Sequence, residues 1–257
     1  MSRAAPRAIA LPARAKLNLD LGIVKRRPDG LHELRTRVQE IDLHDLLEVE
    51  AAAETVLEVS GMEVPATGAN SVLKAQAALE AEAGRKLPAR FRLHKRIPPG
   101  SGLGGASSDA AAALRALATI HGFTGDLRAA ARAVGSDVTF FLTGGSALVE
   151  AVGEQVTPIA GEPSWFAIAW PGIELSTAAV YGAWDQVGGD GPNALRRAAG
   201  HADPRVDEFA ARLGPGWQMT GSGSAFFKVC TDRDAAMAAT DKVGSWTVVS
   251  RSVEAWG

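Results

Sequence analysis

Between residues 100 and 109 the chain reads GSGLGGASSD, with four glycines in six positions followed by two serines and an aspartate. Glycines allow a backbone to approach an anion closely, and a helix that starts in such a loop adds its positive N-terminal end. Ser107 and Ser108 add hydroxyls that reach a phosphate or its Mg2+, and they are natural caps for the first free N–H groups of a following helix. Gly100, Gly102 and Gly105 fit the pattern GxGxxG, yet three familiar phosphate motifs fail here. A dinucleotide fold needs a second parallel strand ending in an acid about 20 residues on. A Walker A loop needs lysine after its last glycine, where Ala106 stands. A protein-kinase loop needs valine at Ser107 and a hairpin, not a helix, behind it. Read as punctuation alone, the stretch is a flexible loop and a capped helix; the ordered strand, Pro98-Pro99 and the paired serines around it favour an anion site.

A second segment carries polar groups in a regular pattern. In AKLNLDL, residues 15–21, strand alternation places Leu17, Leu19 and Leu21 on one face and Lys16, Asn18 and Asp20 on the other. One face is core, and the other is chemistry or water.

The elements that position these groups follow from pattern. After AKLNLDL comes the turn-rich KRRPDGLHEL, then strands at 36–43, 46–50 and 56–60 that suggest a mostly antiparallel sheet. Asn70 and Ser71 cap a helix that Gly84 closes. Phe91 and Leu93 alternate with Arg90 and Arg92 in a strand leading into the glycine loop, and the Ala-rich helix behind it ends near Gly122. A short helix over 126–134 precedes GSDVTFFLTGG and the strand SALVEAV. The pattern restarts at Pro163 with a strand at 165–170, a helix near 177–184, a surface loop GGDGPN, a helix at 203–213, the turn TGSGSA, a strand at 226–230, a helix at 232–243 and a strand at 246–250. The fold class is α+β, divided into residues 1–158 and 159–257.

Composition narrows the function classes. The 257 residues are 46% hydrophobic and 22% charged, which is globular rather than disordered. A lone Cys230 excludes a disulfide framework or a cysteine-cluster metal site and favours a reducing compartment, so a cytoplasmic location is expected. Lys plus Arg total 27 against 29 acids, a formal charge of -2, so neither nucleic acid nor an anionic membrane is an expected partner. The N-terminal stretch with Arg3, Arg7 and Arg14 has an apolar run too short and too Pro-interrupted for an export signal, and no window reaches membrane-span length.

Four segments together resemble the GHMP kinases. Pro99-GSGLGGASSDAA is similar to that superfamily's central P-x-x-x-G-L-G-S/G-S-S-x-A-A motif. Ala15-KLNLDLGIVKRRPDGLHEL, Gly135-SDVTFFLTGGSALVEAVGE and Thr220-GSGSAFF resemble the remaining motifs of the branch that acts on 4-diphosphocytidyl-2-C-methyl-D-erythritol. The resemblance covers both halves of the chain in the right order. It implies ATP-dependent phosphorylation of that substrate's 2-hydroxyl in non-mevalonate isoprenoid synthesis, with ATP and Mg2+ as cofactors. It also implies an N-terminal domain like ribosomal protein S5 domain 2, a ferredoxin-like C-terminal domain and an active site between them. A small-molecule partner and a monomer or weak homodimer are expected.

By the same resemblance Lys16 and Asp137 are the catalytic pair, and Asn18, His32, Asp137 and Tyr181 bind the alcohol substrate. Phosphoryl transfer needs an in-line hydroxyl, a base or orienter for its proton, and cations on the migrating charge; an Asp held near a Lys supplies the first two, and the lysine keeps the carboxylate ionised. An imidazole offers a donor and an acceptor to cytosine, and an aromatic side chain stacks on it. ATP falls to Asn70, Lys95, Pro99, Gly100, Ser101, Gly102, Leu103, Gly104, Gly105, Ala106, Ser107 and Ser108, with the two serines as candidates for Mg2+. Without the motifs, Lys16 reads as a surface lysine, Asp137 as a turn residue, Asn70 as a helix cap and Tyr181 as a core aromatic. The chain departs from the branch pattern at Leu31, where a tyrosine normally forms half of a cytosine sandwich, and at Ala106 and Thr139. The competing readings are a GHMP kinase for another small alcohol, such as homoserine or a mevalonate derivative, and a non-catalytic binding protein of this fold.

Overall fold

The computed structural model describes residues 7–255, so Arg3 lies outside the described residues. In chain order the elements are β1 (Ala8–Asn18), β2 (Gly22–Arg26), β3 (His32–Ala51), β4 (Val56–Gly61), α1 (Ser71–Ala83), β5 (Ala89–Lys95), α2 (Gly105–His121), α3 (Leu127–Val134) and α4 (Ser136–Thr143). They continue with β6 (Ser146–Ala151), β7 (Gln155–Pro158), β8 (Trp165–Trp170), α5 (Thr177–Val187), α6 (Arg196–Ala202), α7 (Arg205–Leu213), β9 (Gln218–Met219), β10 (Phe226–Cys230), α8 (Arg233–Thr240) and β11 (Trp246–Arg251). Packing divides the described residues into two compact units, one of residues 7–15, 44–97 and 104–143, the other of residues 16–43, 98–103 and 144–255. The 20-residue β3 runs from the second into the first.

In the first unit, β5 pairs antiparallel with the end of β3 and parallel with β4, in register Leu47↔Leu93 and Leu57↔Phe91. Its alternation is strict: Ala89, Phe91, Leu93 and Lys95 are buried, while Arg90, Arg92 and His94 face out. Full burial of a ring such as Phe91 stabilises by about 1.5–3 kcal/mol. Asn70 caps α1, its Oδ1 accepting from the Val72 N–H at 2.9 Å, and Gly84 ends the helix at φ 63°. The Ala-rich α2 buries Ala113, Leu114 and Leu117. Its N-cap is Gly104 at φ 78°, with no side-chain cap bond, so the expected capping by Ser107 or Ser108 is corrected: both serines already lie inside the first turn. Residues 136–143, which carry no element in the sequence reading, form α4, and Arg115 closes its end by donating to the Leu142 carbonyl at 2.5 Å.

In the second unit, the strands run β11-β8-β10-β9, with Phe227↔Ile168 and Val248↔Ile168 antiparallel. Ala169 and Phe226 pack with Val180, Leu195, Val206 and Phe209, from α5, the entry to α6, and α7. Phe209 meets Phe226 edge-on at 5.8 Å, a geometry worth about 0.5–1.5 kcal/mol beyond burial. The β2–β3 hairpin, absent from the sequence reading, turns at residues 27–31: Arg27 N–H donates to the Leu31 carbonyl at 2.7 Å and Gly30 takes φ 86°. The strand β6 pairs with the start of β3, Thr36 opposite Val149, and with β7. No helix among the described residues is long and apolar enough to cross a membrane.

Candidate active site

The motif strand β1 ends at Asn18, and its polar face is not wet: Lys16 is 5% and Asn18 6% exposed. The residues opposite the leucines are spent on partners. Lys16 Nζ donates to Asn18 Oδ1 at 2.5 Å. Asn18 donates its backbone N–H to Thr220 Oγ1 at 2.8 Å and its side-chain amide to Thr36 Oγ1 at 2.9 Å. Behind this row the turn at 220–223 is held by Asn193, whose Nδ2 donates to the carbonyls of Met219 and Gly221 at 2.8 and 2.9 Å. A Cβ on Gly221 would lie 3.1 Å from Lys16 Nζ, so the glycine leaves room for the ammonium.

The first half of the glycine loop belongs to the same unit. The Lys16 N–H donates to the Leu103 carbonyl at 2.9 Å, and Ala225 N–H donates to the Ser101 carbonyl at 2.9 Å. Gly102, at φ 81°, has no space for a side chain, because a Cβ would run into the Thr220 carbonyl. Ser101 turns its hydroxyl back to the Pro98 carbonyl at 2.6 Å, which rigidifies the loop.

In the first unit the loop passes into α2. Gly104 to Ser107 are partly or fully exposed, whereas Ser108 is buried, with its hydroxyl lacking a hydrogen-bond partner among the described residues. Helix-terminal amides without a side-chain cap suit an anion. Beneath this turn sits a buried ion cluster: Lys95 Nζ donates to Asp45 Oδ2 and, at 2.7 Å, to Asp109 Oδ2. Burial, with Asp45 beside it, pushes the Asp109 carboxyl up to about 7 against the pull of Lys95. Burial lowers the Lys95 ammonium, but Asp109 and Asp45 together outweigh it and hold the group above its ordinary value. Asp137 lies half-buried in the first turn of α4.

Asn70 and the backbone of Lys95 are hydrogen-bonded to the wall of one cavity. It measures about 550 Å³ and is lined by residues 59–66. Asn70 Nδ2 donates to the Pro65 carbonyl at 2.7 Å, and Met62 N–H donates to the Lys95 carbonyl at 3.1 Å. Asn70 is therefore both helix cap and organiser of the cavity wall.

His32 and Tyr181 come together in the second unit, with ring centroids 5.1 Å apart and planes at 28°. Trp184 meets the same imidazole edge-on at 5.3 Å, and His32 Nε2 stands 2.7 Å from Asp185 Oδ1. Leu31 is 52% exposed beside this group. Sequence reasoning missed Asp45, Asp109, Asp185 and Asn193. The one available signal was Asp109, an acid inside an otherwise apolar helix face.

The family model described as GHMP kinases N terminal domain matches residues 70–145. The 4-diphosphocytidyl-2-C-methyl-D-erythritol kinase of Polaromonas sp. is 38% identical over 84% of this chain and 82% of its own length. That of Thermus thermophilus is 36% identical over 91% of this chain and 92% of its own. A crystal structure of 4-(cytidine 5'-diphospho)-2C-methyl-D-erythritol kinase superposes with a TM-score of 0.80 at 32% identity, covering 97% of this chain and 100% of that one.

Proposed function

The chain belongs to the 4-diphosphocytidyl-2-C-methyl-D-erythritol kinase family of GHMP kinases, and from that membership we propose that it transfers the γ-phosphoryl group of ATP to the 2-hydroxyl of 4-diphosphocytidyl-2-C-methyl-D-erythritol. The observation that carries this reading is the buried Lys16–Asn18–Thr220 row, a lysine inside the protein that donates to Asn18 and is backed by a glycine turn. An ammonium in a low-dielectric site, donating where charge develops, stabilises a migrating phosphoryl group far more than a solvated one does.

Lys16 and Asp137 are assigned as the catalytic pair. The Asp137 carboxylate orients the attacking hydroxyl and accepts its proton as the new P–O bond forms and the bond from the γ-phosphorus to the β–γ bridging oxygen breaks to release ADP, and Lys16 stabilises the negative charge on the phosphoryl oxygens. Asn18 holds Lys16 in place and offers its amide to the substrate. The rings of His32 and Tyr181 receive the cytosine. For ATP, the cavity over residues 59–66, whose wall is hydrogen-bonded to Asn70 and the Lys95 backbone, is the adenine end. The loop of residues 99–108 is the phosphate end.

Among the described residues no group of three or more His, Cys, Asp or Glu is placed to hold a metal. Mg2+ bound chiefly through phosphates and one or two hydroxyls fits that donor set, since this ion keeps several waters and prefers oxygen. The uncommitted Ser108 hydroxyl and its neighbour Ser107 are the groups that would hold it, and it would neutralise charge between the β- and γ-phosphates. A cytoplasmic protein that is monomeric or weakly dimeric, made of family halves 1–158 and 159–257, completes the reading.

The test is single-turnover transfer of label from ATP to the cytidyl substrate, with homoserine and mevalonate as comparison alcohols. Transfer confined to the cytidyl substrate, lost by a factor on the order of 10²–10⁴ in Asp137→Asn, supports the assignment. Transfer to another alcohol overturns the substrate, and an Asp137→Asn enzyme at full rate overturns the pair.

A further inference from the structure

We propose that the buried Asp45–Lys95–Asp109 cluster is the positioning device of the phosphate loop, and that the Lys95 ammonium acts through the loop rather than by touching nucleotide. The inference rests on the reading that ATP phosphates bind at residues 99–108.

Three elements meet at this cluster. Asp45 comes from β3, Lys95 is the last residue of β5, and Asp109 is in the second turn of α2. All three are nearly sealed, at 0%, 4% and 2% exposure. Asp45 uses both oxygens: Oδ2 accepts from Lys95, while Oδ1 accepts the backbone N–H of Arg96 at 2.5 Å and of Ile97 at 2.9 Å. Those two residues lead the chain into the loop. On the far side of the loop, Lys95 reaches Asp109 at 2.7 Å.

The lysine stem runs directly under the loop exit. A Cβ on Gly105 would lie 3.1 Å from Lys95 Nζ and 3.0 Å from Ile97 Cγ2, so the first residue of α2 packs directly on the lysine and any larger residue there would press on it. The segment from 98 to 104 is thereby fixed at both ends by one set of ionic hydrogen bonds. A lysine spent on two buried carboxylates is committed: pulling it out toward a ligand would strand two acids away from water, which is costlier than the contact it would gain. The strand alternation that sends Phe91 and Leu93 inward sends Lys95 inward too, which is why the charge is available to the loop from below.

The experiment uses the full chain and four variants: Asp45→Asn, Asp109→Asn, Lys95→Met and the double Asp45→Asn/Lys95→Met. Asp109→Asn is close to isosteric and still accepts from Lys95, so it keeps a folded protein in the set. Each single variant is expected to raise KM for ATP, by roughly tenfold to a hundredfold for Asp45→Asn and Lys95→Met and by less for Asp109→Asn, with KM for the alcohol unchanged. The double variant is expected to be no worse than Lys95→Met, because the partners act as one unit. A general loss of stability would move both KM values together. If Lys95→Met alone raises KM for ATP while both aspartate variants match the wild type, Lys95 touches nucleotide and the inference falls. Additive effects in the double variant overturn it as well. Calorimetry with ADP on the wild type separates the two readings: no binding at all removes the proposed function and this inference with it, whereas normal binding by every variant removes only the inference.

Discussion

His32 Nε2 lies 2.7 Å from Asp185 Oδ1, and since a carboxylate only accepts, the imidazole donates from that nitrogen. Asp185 is itself held by Arg26 at 3.3 Å, on the strand that pairs with His32 across the hairpin. One polar edge of the ring is thus committed to the protein, and Tyr181 stacked on its face restricts rotation.

Asp185→Asn is therefore expected to raise KM for the cytidyl substrate about tenfold, the loss that accompanies a weakened charged hydrogen bond, with kcat within about twofold of wild type. Steady-state kinetics at saturating ATP read this directly. An equal rise in KM for ATP would mean that the substitution acts on the fold and not on the ring.

Gly221 tests the packing behind Lys16. The residue holds φ 56°, and a Cβ there would lie 2.9 Å from the Gly102 carbonyl oxygen, 3.1 Å from Lys16 Nζ and 3.2 Å from Asn18 Oδ1. Since backbone on one side cannot give, the ammonium is displaced instead. Gly221→Ala is expected to cut kcat by roughly a hundredfold or more, the cost of about 1 Å of misplacement, while both KM values change far less. A variant that keeps kcat would show that Lys16 is not held by this turn.

The contrast between what was legible and what was hidden follows the same physics. Leu17, Phe91 and Leu93 were readable as core because period-two alternation of apolar residues has one interpretation, and the caps at Asn70 and Asp126 and the stops at Gly84 and Gly122 appear where their chemistry requires. The strand β3 reads in sequence as two strands, because Asp42, His44 and Asp45 interrupt it. In the fold those acids are consumed by distant groups: Asp42 accepts from Ser250 Oγ at 2.6 Å and Arg251 N–H at 3.0 Å, and Asp45 from Arg96 and Ile97. The helix α4 was hidden by flanking glycines and by Val138, Thr139, Phe140 and Phe141, whose low helical preference is overridden by burial. Of the site, the glycine loop and the Lys16 face were visible as chemistry, whereas the residues that hold them, Asp45, Asp109, Asn193 and Asp185, act across 14 to 153 positions through single side chains, and apart from the acid at 109 in an apolar helix no local pattern marks them.

The buried carboxyl of Asp109 gives a pH signature. Its ordinary value of 3.8 in the unfolded chain rises to about 7 on folding. The folded state binds that proton more tightly, so the contribution is fully present below about pH 4 and is lost as pH rises through about 7. Compared with Asp109→Asn, the wild type is expected to lose stability between pH 4.5 and 7.5, measured as urea midpoints in the absence of nucleotide and Mg2+. A difference between the two proteins that stays constant over that range would contradict the assignment.

Leu31 offers a gain-of-function test. The branch pattern carries a tyrosine there, and this chain presents an aliphatic side chain that is 52% exposed, next to the His32, Tyr181 and Trp184 group. Its backbone is fixed by two bonds, the Leu31 N–H donating to Asp29 Oδ1 at 3.1 Å and its carbonyl accepting from Arg27, so a new side chain at 31 inherits a defined direction. A phenol ring stacked on a bound pyrimidine adds about 0.5–1.5 kcal/mol, or roughly two- to tenfold in affinity. Leu31→Tyr is accordingly expected to lower KM for the cytidyl substrate by that factor and to leave KM for ATP untouched, since no part of the hairpin turn belongs to the phosphate loop. The exposed position makes the substitution nearly neutral for folding, so thermal midpoints of the two proteins should agree closely. An unchanged or higher KM would place the base out of reach of residue 31 and confine its recognition to His32 and Tyr181.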